Sequence, residues 1–347
     1  MRILYGVQGT GNGHVARARA MASALQQHDV EVDFLFSGRK REKFFDMAVF
    51  GDFAVRKGLS FVTDKGRVDY FKTAINNNIA RFWNEVLALD LSGYDLVIND
   101  FEPVTAWAAK RQGVPCIGIS HQNAFRHSVP LKGASWLDKQ MIEHFAPANH
   151  HVALHWYHFD QPILPPIIDI KPTGVKKEDF ILVYLPFESL EEVESLLSRF
   201  GEQKFVCFHP DIHQVHQGSD IEWHPLSTRF HDYLLRCRGV MANGGFELPS
   251  EALSLGKKLL LKPLAGQFEQ QSNVATLETL GLASVMESLD AAVVREWIAS
   301  DDAESIRYPD VAAALARWVV SGQWHDQQSL HRTLWEQVDF PDYAAAM

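Results

Sequence analysis

The sequence predicts an α/β protein made of two tandem, doubly wound, Rossmann-like domains that face each other across a cleft. Three observations carry this prediction. Short apolar runs alternate with helical patterns from the first residues onward. The alternation breaks over 157–178, where "YHFDQPILPPIIDIKPTGVKKE" holds four prolines and no clear period, and then it restarts. Finally, 347 residues are too many for one simple core.

The elements follow in order. "RILYGV" (2–7) reads as a strand, 13–27 as a helix with small and apolar residues at helical spacing, and "VEVDFLFSG" (30–38) as a second strand. Helices are expected over 40–48 and 74–90, a buried strand at "YDLVIND" (94–100), a helix over 103–112 that opens on Pro103, and a strand at 115–120. After the proline-rich stretch come strands at 180–186 and 204–210 around a helix at 188–200, then a strand at 239–243 and a helix at 246–255. A strand at 257–263 and a helix at 267–280 follow, with helical patterns at 290–298, 308–320 and from about 325. Strands that alternate with helices pair in parallel. The domain bounds expected are 1–160 and 179–322, with a linker over 161–178 and a helical segment over 323–347 that packs back on the first domain.

Composition excludes several classes of function. A formal net charge of −10 gives no global support to nucleic-acid binding. Cys116, Cys207 and Cys237 are far apart and show no metal or redox spacing, which fits reduced thiols in a cytoplasmic protein. Glycines interrupt the first apolar run, and no run approaches the length of a membrane span. The expected location is the cytoplasm, or the inner face of a membrane held from its surface. Basic and aromatic residues mix over 39–57, a pattern that serves either peripheral membrane contact or an ordinary helix with a buried Phe face.

"GTGNGH" follows the first strand. Gly11, Gly13 and Ala16 fit a dinucleotide-binding loop. The second strand, however, ends "FLFSGRK" without the acid that holds a ribose, so only an NADP reading through Arg39 and Lys40 survives. His14 sits in the first helical turn, where the positive end of the helix dipole favours neutral imidazole, the form a general base needs. Asp100 closes a strand, with Glu102 just beyond. Either acid is placed to orient His14, and Asp100 also suits a cap for the helix at Pro103. "HPDIHQVHQ" (209–217) has metal-binding residue types without a ligand spacing, and no metal is expected.

A second signature runs from Val240 to Gly281. Gly244 and Gly245 close a strand and open a helix whose amides and dipole suit a diphosphate. Glu251 lies one turn on, Pro263 ends the next strand, and Glu269, Gln270 and Asn273 open the helix after it. This ordered set resembles the GT-B superfamily of nucleotide-sugar glycosyltransferases, in particular the family that forms lipid II from UDP-N-acetylglucosamine and the UDP-glucuronosyltransferase-like enzymes. "GTGNGH" and "GVPCIGISHQNAF" (113–125) are similar to the former family in the first half. One departure stands out: "VYLPFESLEE" lacks the glycine-rich loop that the family often has after the first strand of its second domain.

The resemblance implies an inverting, metal-independent glycosyltransferase that uses a UDP-sugar and needs no cofactor. The first domain would bind a hydroxyl acceptor, a cell-envelope glycan or a lipid-linked sugar, and the second the donor. His14 would be the base, backed by Asp100. Gly244, Gly245 and Phe246 would hold the donor diphosphate, Glu251 the ribose, and Glu269 and Gln270 the sugar. Gly11, Gly13, His121 and Asn123 would line the acceptor side of the cleft. The alternatives are an NADP-dependent oxidoreductase, a sugar-nucleotide epimerase and a non-catalytic nucleotide-sugar-binding module.

Overall fold

A computed structural model describes residues 1–59, 63–64, 67–68, 78–170, 174–218, 220–226 and 229–344. Part of the helix expected over 74–90 lies outside these residues. The strands are β1 (Arg2–Gln8), β2 (Glu31–Ser37), β3 (Phe53–Arg56), β4 (Thr63–Asp64), β5 (Arg67–Val68), β6 (Leu96–Asp100), β7 (Cys116–Ser120), β8 (His150–Leu154) and β9 (Ile163–Leu164) in the first half. The second half has β10 (Ile181–Tyr184), β11 (Phe205–Phe208), β12 (His216–Gln217), β13 (Ile221–His224), β14 (Gly239–Asn243), β15 (Lys258–Lys262) and β16 (Ser284–Val285).

The helices are α1 (Asn12–Leu25), α2 (Ile79–Ala88), α3 (Pro103–Gln112), α4 (Trp136–His144), α5 (Leu190–Leu197), α6 (Phe230–Arg236), α7 (Glu247–Ser254), α8 (Phe268–Thr279), α9 (Ala291–Ala299), α10 (Val311–Ser321) and α11 (Gln327–Trp335).

Two seven-stranded sheets result, in the orders β3-β2-β1-β6-β7-β8-β9 and β12-β13-β11-β10-β14-β15-β16. All pairings are parallel except β12 with β13, and β4 with β5 form a separate antiparallel pair. β1, β6 and β14 read as near-continuous apolar runs because helices cover both faces of a parallel sheet. In each sheet the direction of winding reverses once, between β1 and β6 and between β10 and β14. Chain segments leaving the carboxyl ends of those neighbours diverge and leave a crevice where ligands bind in such folds. Both crevices open toward the junction of the halves. A continuous core crosses that junction, with Trp156 of the first half and Phe246 of the second in contact at a ring separation of 4.7 Å.

The C-terminal helices return to the first half. α10 packs on α1 and α11 packs beside β9, where the Trp335 indole donates to the Ile163 carbonyl at 2.7 Å. β9 itself lies within the stretch expected to be a linker. Ile163 and Leu164 escape the prolines around them and extend the first sheet.

Other elements differ from expectation. Residues 40–48 do not form a helix; short 3-10 turns at Arg41–Lys43 and Ala48–Phe50 replace it. Phe44, Phe50 and Phe53 all converge on Phe36, an arrangement that one helical stripe would not deliver. Phe50 and Phe53 are buried there, and Arg41 lies over the Phe53 ring, so these aromatics are not free to enter a membrane. α4, β8, β13 and α6 have no counterpart in the expected elements. For α4 the readable signal is a capping box, in which Ser135 accepts from the Asp138 amide and Asp138 accepts from the Ser135 amide. Among the described residues, no helix is long and apolar enough to cross a membrane.

Candidate active site

Register brings the first two site residues together. β1 and β6 are neighbours, Val7 pairs with Asp100, and the glycine turn after β1 places His14 above the end of β6. Phe101 turns the chain sharply after Asp100 with a φ of +51°, a conformation costly for a bulky residue and held here by stacking on Phe145. Asp100 is therefore fixed at the strand end. His14 Nδ1 donates to Asp100 Oδ1 at 2.8 Å. Arg17 Nη2 also lies 3.0 Å from Nδ1, but it already donates to Asp100, and the ionised carboxylate can only accept, so Nδ1 carries the hydrogen and Nε2 keeps a lone pair to accept a proton.

Arg17, one turn after His14 on α1, completes the cluster. Its Nε and Nη2 donate to the two oxygens of Asp100, each at 2.8 Å, and its Nη1 donates to Glu247 on α7 at 2.8 Å. Burial opposes the arginine's charge, but Asp100 and Glu247 more than offset burial and raise its pKa. Burial likewise works against the Asp100 carboxylate. Arg17 and His14 outweigh it and hold the group below its ordinary range.

Glu102 takes no part in this cluster. Its oxygens accept from the amides of Val104 and Thr105 and from the Thr105 hydroxyl, so it is the cap of α3, and Asp100 is left for His14.

The donor-side signature folds differently from the simplest expectation. The amides of Gly244 and Gly245 are already engaged, by the carbonyls of Lys262 at 3.2 Å and Asn243 at 2.8 Å. Gly244 is glycine for packing, since a Cβ there would lie 2.6 Å from Val274 Cγ2 and 2.8 Å from the Gln270 carbonyl. A Cβ on Gly245 would meet nothing within 4 Å, so that side is open. The open donors are the amides of Glu247 and Leu248 at the start of α7, which has no side-chain cap; Pro249 has no N–H, and the Ser250 amide bonds the Phe246 carbonyl.

Phe246 is not open to a ligand either. Its ring stacks on His121 at 3.9 Å and 7° in the junction. Glu251 lines the cleft cavity, with His231 Nε2 3.5 Å from its Oε1. Glu251 raises the pKa of His231 against the effect of burial.

Gln270 uses its carbonyl oxygen to accept from the Leu264 amide at 3.0 Å and so shapes the turn after β15. Glu269 accepts from Gln122 Nε2 at 3.0 Å, across the junction. Burial raises its pKa, against the pull of His14 and of its bond to Gln122.

On the acceptor side, Gly11 is the N-cap of α1, and a Cβ on Gly13 would come within 3.1 Å of Glu247 Cβ. The glycine turn thus lets α1 approach α7. Arg39 turns back to the Gly9 carbonyl and Asn12, which takes it from the NADP reading.

His121 and Asn123 are buried rather than exposed to the cleft. His121 bonds the Leu154 carbonyl and Asn273, and burial pushes its pKa down to about 3. Asn123 donates to the carbonyls of Gly118 and Val152. His209, in the histidine-rich loop, is buried with Nε2 on the Glu188 carbonyl, and no group of three metal-binding side chains occurs among the described residues.

The cavity at the junction is lined by Asn12, Gly13 and Arg19 from the first half and by Tyr184, His231 and Glu251 from the second. Sequence reading missed Arg17, Glu247, Gln122 and His231. Arg17 had a signal, because it lies three positions after His14 and so on the same helix face. Gln122 lies within the 113–125 motif between His121 and Asn123, whereas Glu247 and His231 are ordinary in the sequence; all three gain partners only across the junction or from a separate element.

The pattern of the family described as Glycosyl transferase family 1 matches residues 1–300. Solved structures share the fold at low identity. The glycotransferase of kitacinnamycin aligns with a TM-score of 0.58 and 14% identity, over 97% of this chain and 99% of that one. The spinosyn rhamnosyltransferase SpnG complexed with thymidine diphosphate aligns at 0.57 and 11%, over 96% and 100%. MurG from Acinetobacter baumannii aligns at 0.51 and 15%, over 96% and 99%. None of the curated proteins compared with the chain matches it.

Proposed function

This chain belongs to glycosyl transferase family 1 and has the GT-B fold, and from that premise we propose an inverting, metal-independent transfer of a sugar from a nucleoside diphosphate donor to a hydroxyl acceptor. One observation carries the reading. The oriented His14–Asp100 pair lies directly behind a cleft, at the start of α1, whose Asn12, Gly13 and Ala16 line one wall, and the other wall presents the uncapped start of α7. The first is a base with a free nitrogen, and the second is an anion site.

In the proposed step the acceptor hydroxyl attacks the anomeric carbon from the face opposite the diphosphate. His14 Nε2 takes the hydroxyl proton, and Asp100 stabilises the imidazolium that forms. The C–O bond to the diphosphate breaks and its electron pair leaves with the phosphate oxygen, stabilised by the first-turn amides of α7. Asp100 is unsuited to act as a covalent nucleophile, because both its oxygens are held by Arg17 and His14.

The donor proposed first is a UDP-sugar, with a thymidine diphosphate sugar next, since the SpnG structure is of such a nucleotide complex. Glu251 is assigned the ribose and Glu269 the sugar. The acceptor is proposed to be a cell-envelope glycan or a lipid-linked sugar.

The test is thermal stabilisation by UDP, dTDP, GDP and NADP, followed by single-turnover transfer from the matching sugar nucleotides. A pyrimidine diphosphate is expected to stabilise the protein and its sugar to be transferred. Stabilisation by NADP alone, or epimerisation of the donor without an acceptor, would overturn the reading.

A further inference from the structure

Glu247 has no role in the reaction as just described, yet it lies at its centre. It is the first residue of α7 and is 6% exposed. It lines the cleft cavity, and its Cβ packs against Gly13, next to His14. Oε2 accepts from Arg17, whereas Oε1 is buried with no hydrogen-bond partner. A buried oxygen left unpaired in a native site calls for an explanation.

An ionised carboxylate is poorly placed there. Arg17 carries one positive charge and already answers Asp100 with two bonds. The groups around Glu247 are Arg17 and His14 on α1, Tyr5 on β1, Asp100 on β6, and Glu251 one turn on along α7; across the cavity lie Arg19 on α1, which is paired with Asp169 before β10 and with Asp46, and His231 on α6, which is paired with Glu251. Burial is the largest influence, and with Glu251, Asp100 and Asp169 it outweighs Arg17 and pushes the Glu247 pKa up to about 8. An ionised Glu247 would also repel any anion brought to the first turn of its own helix. A protonated one has an O–H to give.

Building on the proposed donor site, we infer that Glu247 works as a neutral carboxylic acid whose O–H donates a hydrogen bond to the donor diphosphate and stabilises it as the leaving group. The acceptor proton goes to His14 Nε2 and afterwards to water. The acceptor oxygen bonds to the anomeric carbon. The electron pair of the broken bond stays on the diphosphate, and Glu247 keeps its proton throughout. Arg17 then has two tasks: it anchors Asp100 for the base and holds Oε2 so that Oε1 bears the donor hydrogen.

The experiment is calorimetric titration of the intact protein with UDP, and in a second arm dTDP, from pH 7 to 9.5, where the nucleotide's phosphates stay ionised. Wild-type Kd is expected to be flat at the low end and to weaken toward about tenfold per pH unit above Glu247's pKa, as expected for loss of one bound proton. Glu247→Gln keeps shape and an N–H donor but cannot ionise, so it is expected to bind with a flat Kd. Glu247→Ala is expected to bind more weakly at pH 7. His231 remains in both variants, so a slope that vanishes with Glu247→Gln belongs to Glu247.

A flat wild-type profile, or the same slope in Glu247→Gln, would overturn the inference while leaving the donor site standing. Failure of the wild type to bind either nucleotide at any pH would instead overturn the donor reading itself.

Discussion

His14 Nδ1 and Asp100 Oδ1 lie 2.8 Å apart although 86 positions separate the residues in the chain. The parallel pairing of β1 with β6 makes this contact, and Arg17 locks it from the same helix as His14.

If His14 is the base, His14→Ala should slow the chemical step by about 10²–10⁴-fold, the usual worth of a positioned base. Donor affinity should stay close to wild type, because His14 belongs to α1 and stands outside the cavity lining that Glu251 of α7 joins. Single-turnover rates and nucleotide Kd, measured together, check both halves of the statement.

Arg17→Met removes the counter-charge from Asp100 and the hydrogen-bond donor from Glu247 Oε2 while keeping most of the side-chain volume. Leaving a buried charge uncompensated costs about 3–5 kcal/mol, and urea unfolding at pH 7 is expected to show a loss of that order. The rate should fall as well, since Asp100 would no longer be held for His14. A loss within about 0.5 kcal/mol, typical of surface changes, would contradict the placement of Arg17.

The two glycines that open the donor motif should respond differently. Gly244→Ala forces a methyl group against Val274 and the Gln270 carbonyl and should destabilise the fold by about 1–3 kcal/mol. Gly245→Ala meets no atom within 4 Å, so stability should hardly change while nucleotide affinity drops. Paired melting and nucleotide-binding measurements separate the packing glycine from the one that faces the ligand.

His121 stays neutral when folded because burial pushes its pKa down to about 3, against an ordinary 6.5. The unfolded chain therefore binds more protons between those values, and stability is lost as pH falls from about 6.5 toward 3. The slope from this one group is at most about 1.4 kcal/mol per pH unit. His121→Asn should show a shallower acid loss in urea unfolding across that window.

Much of this protein was legible in its sequence. Strand–helix alternation, the break around 157–178 and the two glycine signatures determined two parallel sheets and the turns that carry the site, because apolar periodicity and glycine turns are local properties. His14 and Asp100 were visible as residues at a helix start and a strand end.

Tertiary structure alone decided which acid serves which end. Asp100 rather than Glu102 meets His14, because Glu102 is consumed by the amides that open α3. It also decided that His121 and Phe246 form a buried stack and that Gly244 is a packing glycine. Above all, it decided that Arg17 reaches across 230 positions to Glu247. These outcomes depend on the approach of two sheets built from distant parts of the chain, and the environment of a carboxyl group between them is set by neighbours that no local pattern in the chain encodes.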